Sequence, residues 1–325
     1  MLSPRKLAAA AAVLALLVLP PVALALEEPF YIGLASRMLV FALAALSLNL
    51  ILGYGGLVCF GHAAFVGIGA YVVGILAHHA AEQTLFLGLV PGTASGWVAW
   101  PLAMAAAGLA AVLIGVVALR TRGIHFIMIT LAFAQMIYFF FVTLKGYGGD
   151  DGLTLPQRSA IGFGLNLRDK TTFYYLALGL LALVGLGLAR LTRSRFGMVL
   201  RGAKDNERRM IHLGFPIYRY RLAAFALAGA LAGLAGALLV NQTNFVSPGM
   251  LHWTRSGELI VMVILGGMGS LAGPVLGAIS FLLLEEVLSG YTEHWQVILG
   301  PLLVVLVYFA RSGLIGLLPA GRKAP

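Results

Sequence analysis

Residues 49–76 read "NLILGYGGLVCFGHAAFVGIGAYVVGIL": seven glycines, one imidazole at His62, and no Asp, Glu, Lys or Arg. A run this apolar belongs in lipid. Glycine, however, disfavours a helix interior by about 1 kcal/mol relative to alanine. Gly53, Gly55 and Gly56, followed by Gly61, stand just before His62. The stretch is read as membrane-spanning chain with a helix break inside it.

The rest of the sequence agrees. Of 325 residues, 60% are hydrophobic and only 10% charged, against about 25% charged in an ordinary soluble domain. Polar groups are too few to cover a globular surface in water. Uncharged stretches at 7–26, 38–81, 83–119, 123–144, 222–254 and 259–284 each reach the roughly 20 residues that a helix needs to cross a bilayer. The dyad alternation of a transmembrane β-barrel is absent. The expected fold is therefore all-α: a polytopic transmembrane helical bundle of about 8–10 spans with broken helices, in one domain over residues 1–325. Residues 7–26 have two readings. They are a secretory leader, with Ala23-Leu24-Ala25 offering small residues for cleavage, or a retained first helix, which their length favours.

Charge sets the expected orientation. Lys and Arg gather on the cytoplasmic side of membrane proteins. Residues 190–221 hold nine basic residues against Asp205 and Glu207, and Arg5 and Lys6 mark the amino terminus. Both regions are placed inside, and the segment at 145–171 becomes an outer loop. Crossings at about 7–26, 38–53, 57–78, 97–119, 124–144 and 172–189 return the chain to the cytoplasm before Arg190. A span from Leu222 leaves it, and 296–310 brings the carboxyl terminus back inside. For the count to close, 257–289 must be a hairpin. Gly266, Gly267 and Gly269, with Pro274 beyond them, would break a helix there. Glu258, Glu285 and Glu286 then stand at its outward ends. Whether each arm crosses or re-enters stays open. The formal charge of +10 is explained by orientation, and no nucleic-acid partner is needed.

Irregular backbone at membrane depth survives only when buried in protein or lining a water-filled path. Gly61, His62, Gly266, Gly267 and Gly269 are therefore the candidates for a translocation path or for the break itself. Two readings of His62 stand: a pathway group, or a helix-terminal ring bonded to a backbone carbonyl that the break has freed. Small residues four apart, such as Gly229 and Gly233, allow close helix approach. They serve static packing or sliding during gating equally well.

Catalytic chemistry is missing. No Walker A, HExxH, CxxC or GxSxG pattern occurs. Cys59 is the only cysteine, and the histidines lack metal-ligand spacing. No catalytic residue, metal site or cofactor is expected in this chain. No carboxylate falls at mid-membrane in the proposed spans, which disfavours a proton-coupled carrier. A path without its own energy source requires a gradient or an external motor. The basic segment 190–221 offers a motor its handle: Phe196, Val199, Leu200 and Ala203 keep helical spacing, resuming at Met210 and Ile211. Gly214 stops that helix, and Pro216 follows.

Four blocks resemble one known family. "GYGGLVCFGHAAFVGIGAY" (53–71), "GIHFIMITLAFAQM" (123–136), "SRFGMVLRGAKDNERRMIHLGFPIYRYRLAAFALAGALAGLAGAL" (194–238) and "VMVILGGMGSLAGPVLGA" (261–278) are similar, in family order, to LivM-type permeases of branched-chain amino-acid ABC transporters. The resemblance implies a multi-pass subunit of the bacterial inner membrane, both termini cytoplasmic. It implies four kinds of partner: a LivH-type permease subunit, two ABC ATPase subunits, an extracytoplasmic substrate-binding protein and the lipid bilayer. ATP and Mg would be held by the partners. The family's ATPase-coupling positions fall on Gly197, Arg201, Asn206, Glu207 and Gly214. Gly202-Ala203 and Lys204-Asp205 depart from its usual Ala-Ile and Arg-Glu pairs. "GYGGDDGLTLP" (146–156) resembles its outer Gly-Gly-x-Asp-Gly segment, making Asp150 and Asp151 candidates for binding-protein contact, with a solvated turn the plainer reading. Related permeases carry urea, short amides or other amino acids, so these substrates remain the alternative, with a gradient-driven secondary transporter behind them.

Overall fold

The computed structural model describes residues 4–86, 90–162, 166–292, 294, 297–301, 304 and 313–317. The long helices are α1 (Pro4–Ala25), α2 (Pro29–Asn49), α3 (His62–Glu82), α4 (Gly96–Ala118), α5 (Ile124–Thr143), α6 (Lys170–Arg193), α9 (Ile217–Thr243) and α11 (Ala272–Tyr291). Shorter ones are α7 (Arg195–Asp205), α8 (Glu207–His212) and α10 (Trp253–Gly266). Among the described residues, seven helices are long and apolar enough to cross a membrane: α2, α3, α4, α5, α6, α9 and α11. The only strands there are two-residue pairs: β1 (Leu85–Phe86) with β2 (Val90–Pro91), and β3 (Leu153–Thr154) with β4 (Phe245–Val246). The chain is a polytopic helical bundle. The expected last span at 296–310 lies mostly outside the described residues.

Burial sorts the helices. α2 and α9 form the centre, whereas α5 is covered along little of its length. Leu109, Leu113, Leu183, Leu186, Phe139 and Phe140 stand exposed on the outer helices. That face suits lipid tails, which are as apolar as Leu.

Because lipid removes the hydrophobic drive between helices, close contact must hold the centre together. Ala103, Ala107 and Ala111 of α4 recur every four residues, and all are fully buried. They meet Gly229 and Gly233 of α9, where an added Cβ on Gly233 would lie 2.6 Å from the Ala107 methyl. On the other side of α9, a Cβ on Gly236 would strike the Val66 carbonyl and come within 2.9 Å of the Ala70 nitrogen of α3. Gly69 of α3 in turn lies against the Gly233 backbone. The four-residue spacing read in the sequence is thus an intrachain seam running α4–α9–α3.

α1 is tied to the bundle by its own irregularity. Pro20 and Pro21 lie inside it and lack the N–H groups that would reach back four residues. The carbonyls so freed belong to Leu16 and Leu17. Tyr174 and Tyr175 of α6 donate their hydroxyls to those two oxygens, at 2.7 and 3.1 Å.

Three sequence expectations change. The crossing expected at 57–78 becomes helical only at His62, because residues 55–61 leave the helix. The single coupling helix is two, α7 and α8, since Asn206 is extended (φ −153°, ψ 95°). Its side chain then accepts from the Arg209 amide at 3.0 Å and caps α8. Finally, Glu285, expected at an outward end of the hairpin, has a partner that the sequence did not offer. α2 starts at Pro29 and α11 runs to Tyr291, so Arg37 and Glu285 both fall within helices and pair at 3.1 Å.

Candidate functional site

α2 ends in a π-helical turn, Leu50–Tyr54. Such turns are rare and concentrate at functional sites. Beyond it the backbone stays irregular to Gly61, and Cys59 is fully buried. A Cβ on Gly61 would sit 2.7 Å from the Thr130 carbonyl of α5, so only glycine lets this stretch pass so close.

His62 then opens α3, fully buried. The expected bond to a freed carbonyl is not what the structure has. Nε2 faces Ser47 Oγ at 2.8 Å, while that hydroxyl donates to the Ala44 carbonyl at 2.7 Å. Its single proton is thus spent, so Nε2 carries the ring's N–H and donates to Ser47. Nδ1 has no partner among the described residues. The next amide, Ala63, is one of the four orphan donors of a helix start, and Ser256 Oγ of α10 accepts from it at 2.9 Å. Ser47 precedes Tyr54 by seven residues, so α3 begins roughly 10 Å above that end of α2. α10 starts beside it.

The second break is the turn between α10 and α11. Gly267 and Gly269 take φ of +115° and +77°, a region open to glycine. Asn49, fully buried in α2, grips this turn twice. Its Nδ2 donates to the Ser270 carbonyl at 2.8 Å, and its Oδ1 accepts from the Gly269 amide at 3.1 Å. A Cβ on Gly53 would come within 2.6 Å of the Gly269 nitrogen. α10 and α11 close as a hairpin, Gly266 and Met262 lying against the Gly273–Gly277 backbone. α10 has 14 residues, about 21 Å at 1.5 Å per residue, too short for a hydrocarbon core of about 30 Å. Gly61, His62, Gly266, Gly267 and Gly269 are thus gathered around one stretch of α2, Ser47 to Gly53.

The coupling segment reaches the same stretch. Lys204 of α7 donates its Nζ to the Gly53 carbonyl at 2.8 Å. Of the coupling candidates, Gly197 lets α7 pass against the Thr192 backbone. Arg201 donates to the Gly197 and Thr192 carbonyls and lies over the Tyr54 ring. Asn206 is the α8 cap. Glu207 pairs with Arg122 at 2.9 Å and Arg221 at 3.0 Å, tying α8 to the α4–α5 connection and to α9. Gly214 turns the chain after α8 with φ +85°. Met198, Ile211, Leu213 and Phe215 stay exposed beside these groups.

Asp150 and Asp151 lie at the far end of the bundle, exposed in a turn shaped by Gly148, Gly149 and Gly152, all at positive φ. Arg158 fixes the following loop to the end of α9, donating Nε to Asn244 Oδ1 at 3.0 Å. Burial holds the Arg158 pKa below its usual value, and Arg168 lowers it further. Neither aspartate approaches the breaks.

Between the two ends, α2, α3, α9 and α10 line an open cavity of about 300 Å³ that receives Arg37 and Arg255. Sequence reading missed Arg37, Glu285, Asn49 and Lys204. Arg37 and Asn49 were findable as the polar interruptions of an otherwise apolar run from Pro29 to Tyr54. Among the described residues, no group of three His, Cys, Asp or Glu is placed to hold a metal.

A model of the family described as branched-chain amino acid transport system / permease component matches residues 30–307. The LivM high-affinity branched-chain amino acid permease protein of Escherichia coli K12 is 28% identical over 320 residues, covering 90% of this chain and 72% of that protein. Its Salmonella typhimurium counterpart is 27% identical over 307 residues, covering 87% and 69%. The E. coli LivH permease protein is 26% identical over 125 residues, or 38% of this chain and 40% of that one. No solved structure gives a significant match.

Proposed function

The chain belongs to the family of branched-chain amino acid transport permease components, and on that basis we propose that it is the membrane-spanning subunit of an ABC importer of branched-chain amino acids. It is a multi-pass membrane protein and a permease of a multi-component system. Its transport partners are a LivH-type permease subunit, two ATPase subunits that supply ATP and Mg, and an extracytoplasmic binding protein. It sits in the bacterial inner membrane, with both termini and residues 190–221 in the cytoplasm.

The observation that carries this reading is the linkage from α7 to the helix breaks. Lys204 holds the Gly53 carbonyl. Four residues up α2, Asn49 holds the α10–α11 turn. A push on α7 from a closing ATPase dimer therefore bears on the two places where membrane helices are discontinuous. The exposed Met198, Ile211, Leu213 and Phe215, set among arginines, give the ATPase an apolar knob with a basic rim. Gly197, Arg201, Asn206, Glu207 and Gly214 shape that knob from within; they hold α7 and α8 in place rather than meeting the partner themselves. Asp150 and Asp151 are the surface offered to the binding protein at the opposite end.

Reconstituted vesicles test the reading. Uptake of leucine is expected to require internal ATP and the binding protein and to persist when ion gradients are collapsed. Uptake driven by a proton gradient without ATP would overturn it.

A further inference from the structure

Arg37 is an expensive residue for its position. It is the ninth residue of α2, about 12 Å inside that helix, where a fixed charge marks a functional path more often than a packing element. Glu285 neutralises it through one contact, Nη2 to Oε1 at 3.1 Å. A guanidinium has five N–H donors in a planar fork. Nε and Nη1 of Arg37 and Oε2 of Glu285 have no hydrogen-bond partner among the described residues, and none of these atoms is sealed from the surroundings. The guanidinium lies 5.7 Å from the centre of the Phe41 ring, and both side chains line the cavity. The second arginine of the cavity, Arg255, is paired within its own helix: its Nη1 donates to both carboxylate oxygens of Glu258, at 3.1 and 2.8 Å.

The remaining wall comes from apolar side chains such as Val40, Val66, Leu239 and Leu259, with Thr243 the only other polar group. At about 300 Å³ the space lies at the lower limit of small-molecule sites, which run from roughly 300 to 1,000 Å³. It thus offers one half-spent cation and a small aliphatic pocket, and the half-spent anion Glu285 is held 3.1 Å from that cation although it is not itself part of the wall. That is the complement of a zwitterion with a branched hydrocarbon arm. Urea has no use for the apolar wall, and a carboxylate without an amine leaves Glu285 unmatched.

Resting on the reading of the chain as an amino-acid permease, we propose that this cavity is a substrate station within the chain itself. The Arg37 guanidinium receives the α-carboxylate, Glu285 receives the α-ammonium, and Val40, Phe41, Leu239 and Leu259 enclose the aliphatic side chain. The Arg37–Glu285 pair keeps the site neutral when empty and opens to admit a ligand carrying both charges. Removing one member leaves a charge uncompensated in a low-dielectric setting, so the pair also excludes ligands of single charge.

The test uses the assembled transporter in lipid nanodiscs without its binding protein, so that the soluble receptor's selectivity plays no part. Cys59→Ser removes the native thiol and Leu259→Cys reports on the cavity through its alkylation rate with iodoacetamide. Millimolar leucine is expected to slow alkylation at least threefold, with leucinamide and isovalerate, each lacking one charge, giving little protection. Arg37→Gln is expected to abolish the protection, and Arg37→Lys, which keeps the charge opposite Glu285, to retain part of it. Equal protection of wild-type and Arg37→Gln transporters would overturn the assignment, as would leucine failing to protect. Protection that instead follows the anionic phospholipid content of the nanodisc would make the cavity a lipid crevice and overturn it too. ATP-driven leucine uptake is measured in parallel on the same transporter reconstituted in vesicles together with its binding protein. Uptake without protection sinks only this site, and absent uptake in an intact assembly sinks the permease reading beneath it. Should Leu259→Cys disturb assembly, Val40→Cys reports from the opposite wall.

Discussion

Where the middle of α9 crosses α4 and α3, at Gly229, Gly233 and Gly236, glycine backbone lies directly on neighbouring backbone and alanine methyls. Where α2 meets α7, α10 and residues 55–61, the helices stop short and side chains take over the hydrogen bonding. Ser47, Asn49, Lys204 and Ser256 do this work. Both regions are deeply buried, yet they are built for opposite ends. A seam of interlocked backbones has one arrangement, because sliding it drives carbonyls into each other. The joint has close backbone contacts too, at Gly53 and Gly61, but what ties its π turn and its glycine turn to the neighbours is a few side-chain hydrogen bonds, which can be remade at small cost. On the proposed function, the seam serves as the frame and the joint as the moving part.

The comparison can be broken most forcefully at the seam. Gly236→Val would place a branched side chain against the Val66 carbonyl and the Ala70 nitrogen, neither of which is a flexible side-chain end able to yield. Overpacking typically costs about 1–3 kcal/mol and occasionally more, and with backbone on both sides the upper part of that range applies. The expected outcome is loss of folded protein, seen as a collapsed yield of monodisperse protein after detergent extraction. A normal yield would mean that the seam is loose.

Substitutions at the joint should act more mildly on folding and more sharply on transport. Asn49→Leu removes two hydrogen bonds to the α10–α11 turn. A net hydrogen bond is worth about 1 kcal/mol, so the protein is expected to remain extractable. Leucine uptake per ATP hydrolysed should fall at least tenfold. Lys204→Met removes one bond, to Gly53, and keeps the side chain's length. A fall of about threefold in the same ratio is expected. Full coupling in both variants would detach α7 from the breaks.

How much of this was legible in the sequence differs between the two regions for a physical reason. Seam contacts follow a four-residue rhythm of small side chains, and Gly229 with Gly233 could be read as a packing stripe directly. The two breaks were equally legible, because glycine and proline inside an apolar run leave few alternatives. What joins the breaks was not legible. Asn49 lies 220 residues from Gly269, and Lys204 lies 151 from Gly53; no local pattern records such pairings. His62 shows the limit well. Its position at a helix start was readable, but its partner, Ser47, depends on how far residues 55–61 climb beside α2. The partner of Glu285 was hidden for a related reason, since its cation sits on another helix, far back in the chain.

On the proposed function, a push on α7 reaches the helix breaks and opens the contact between α10 and α3 for substrate to pass. Ala63 and Ser256 touch across it, amide to hydroxyl at 2.9 Å. In a Cys59→Ser background, the double variant Ala63→Cys with Ser256→Cys allows the joint to be locked by oxidation and released by reductant. The most direct measurement is ATP-driven leucine uptake by the reconstituted transporter in the two states. Uptake is expected to stop on oxidation and to recover on reduction, with ATP hydrolysis continuing throughout. Unchanged uptake by a fully cross-linked transporter would contradict the account.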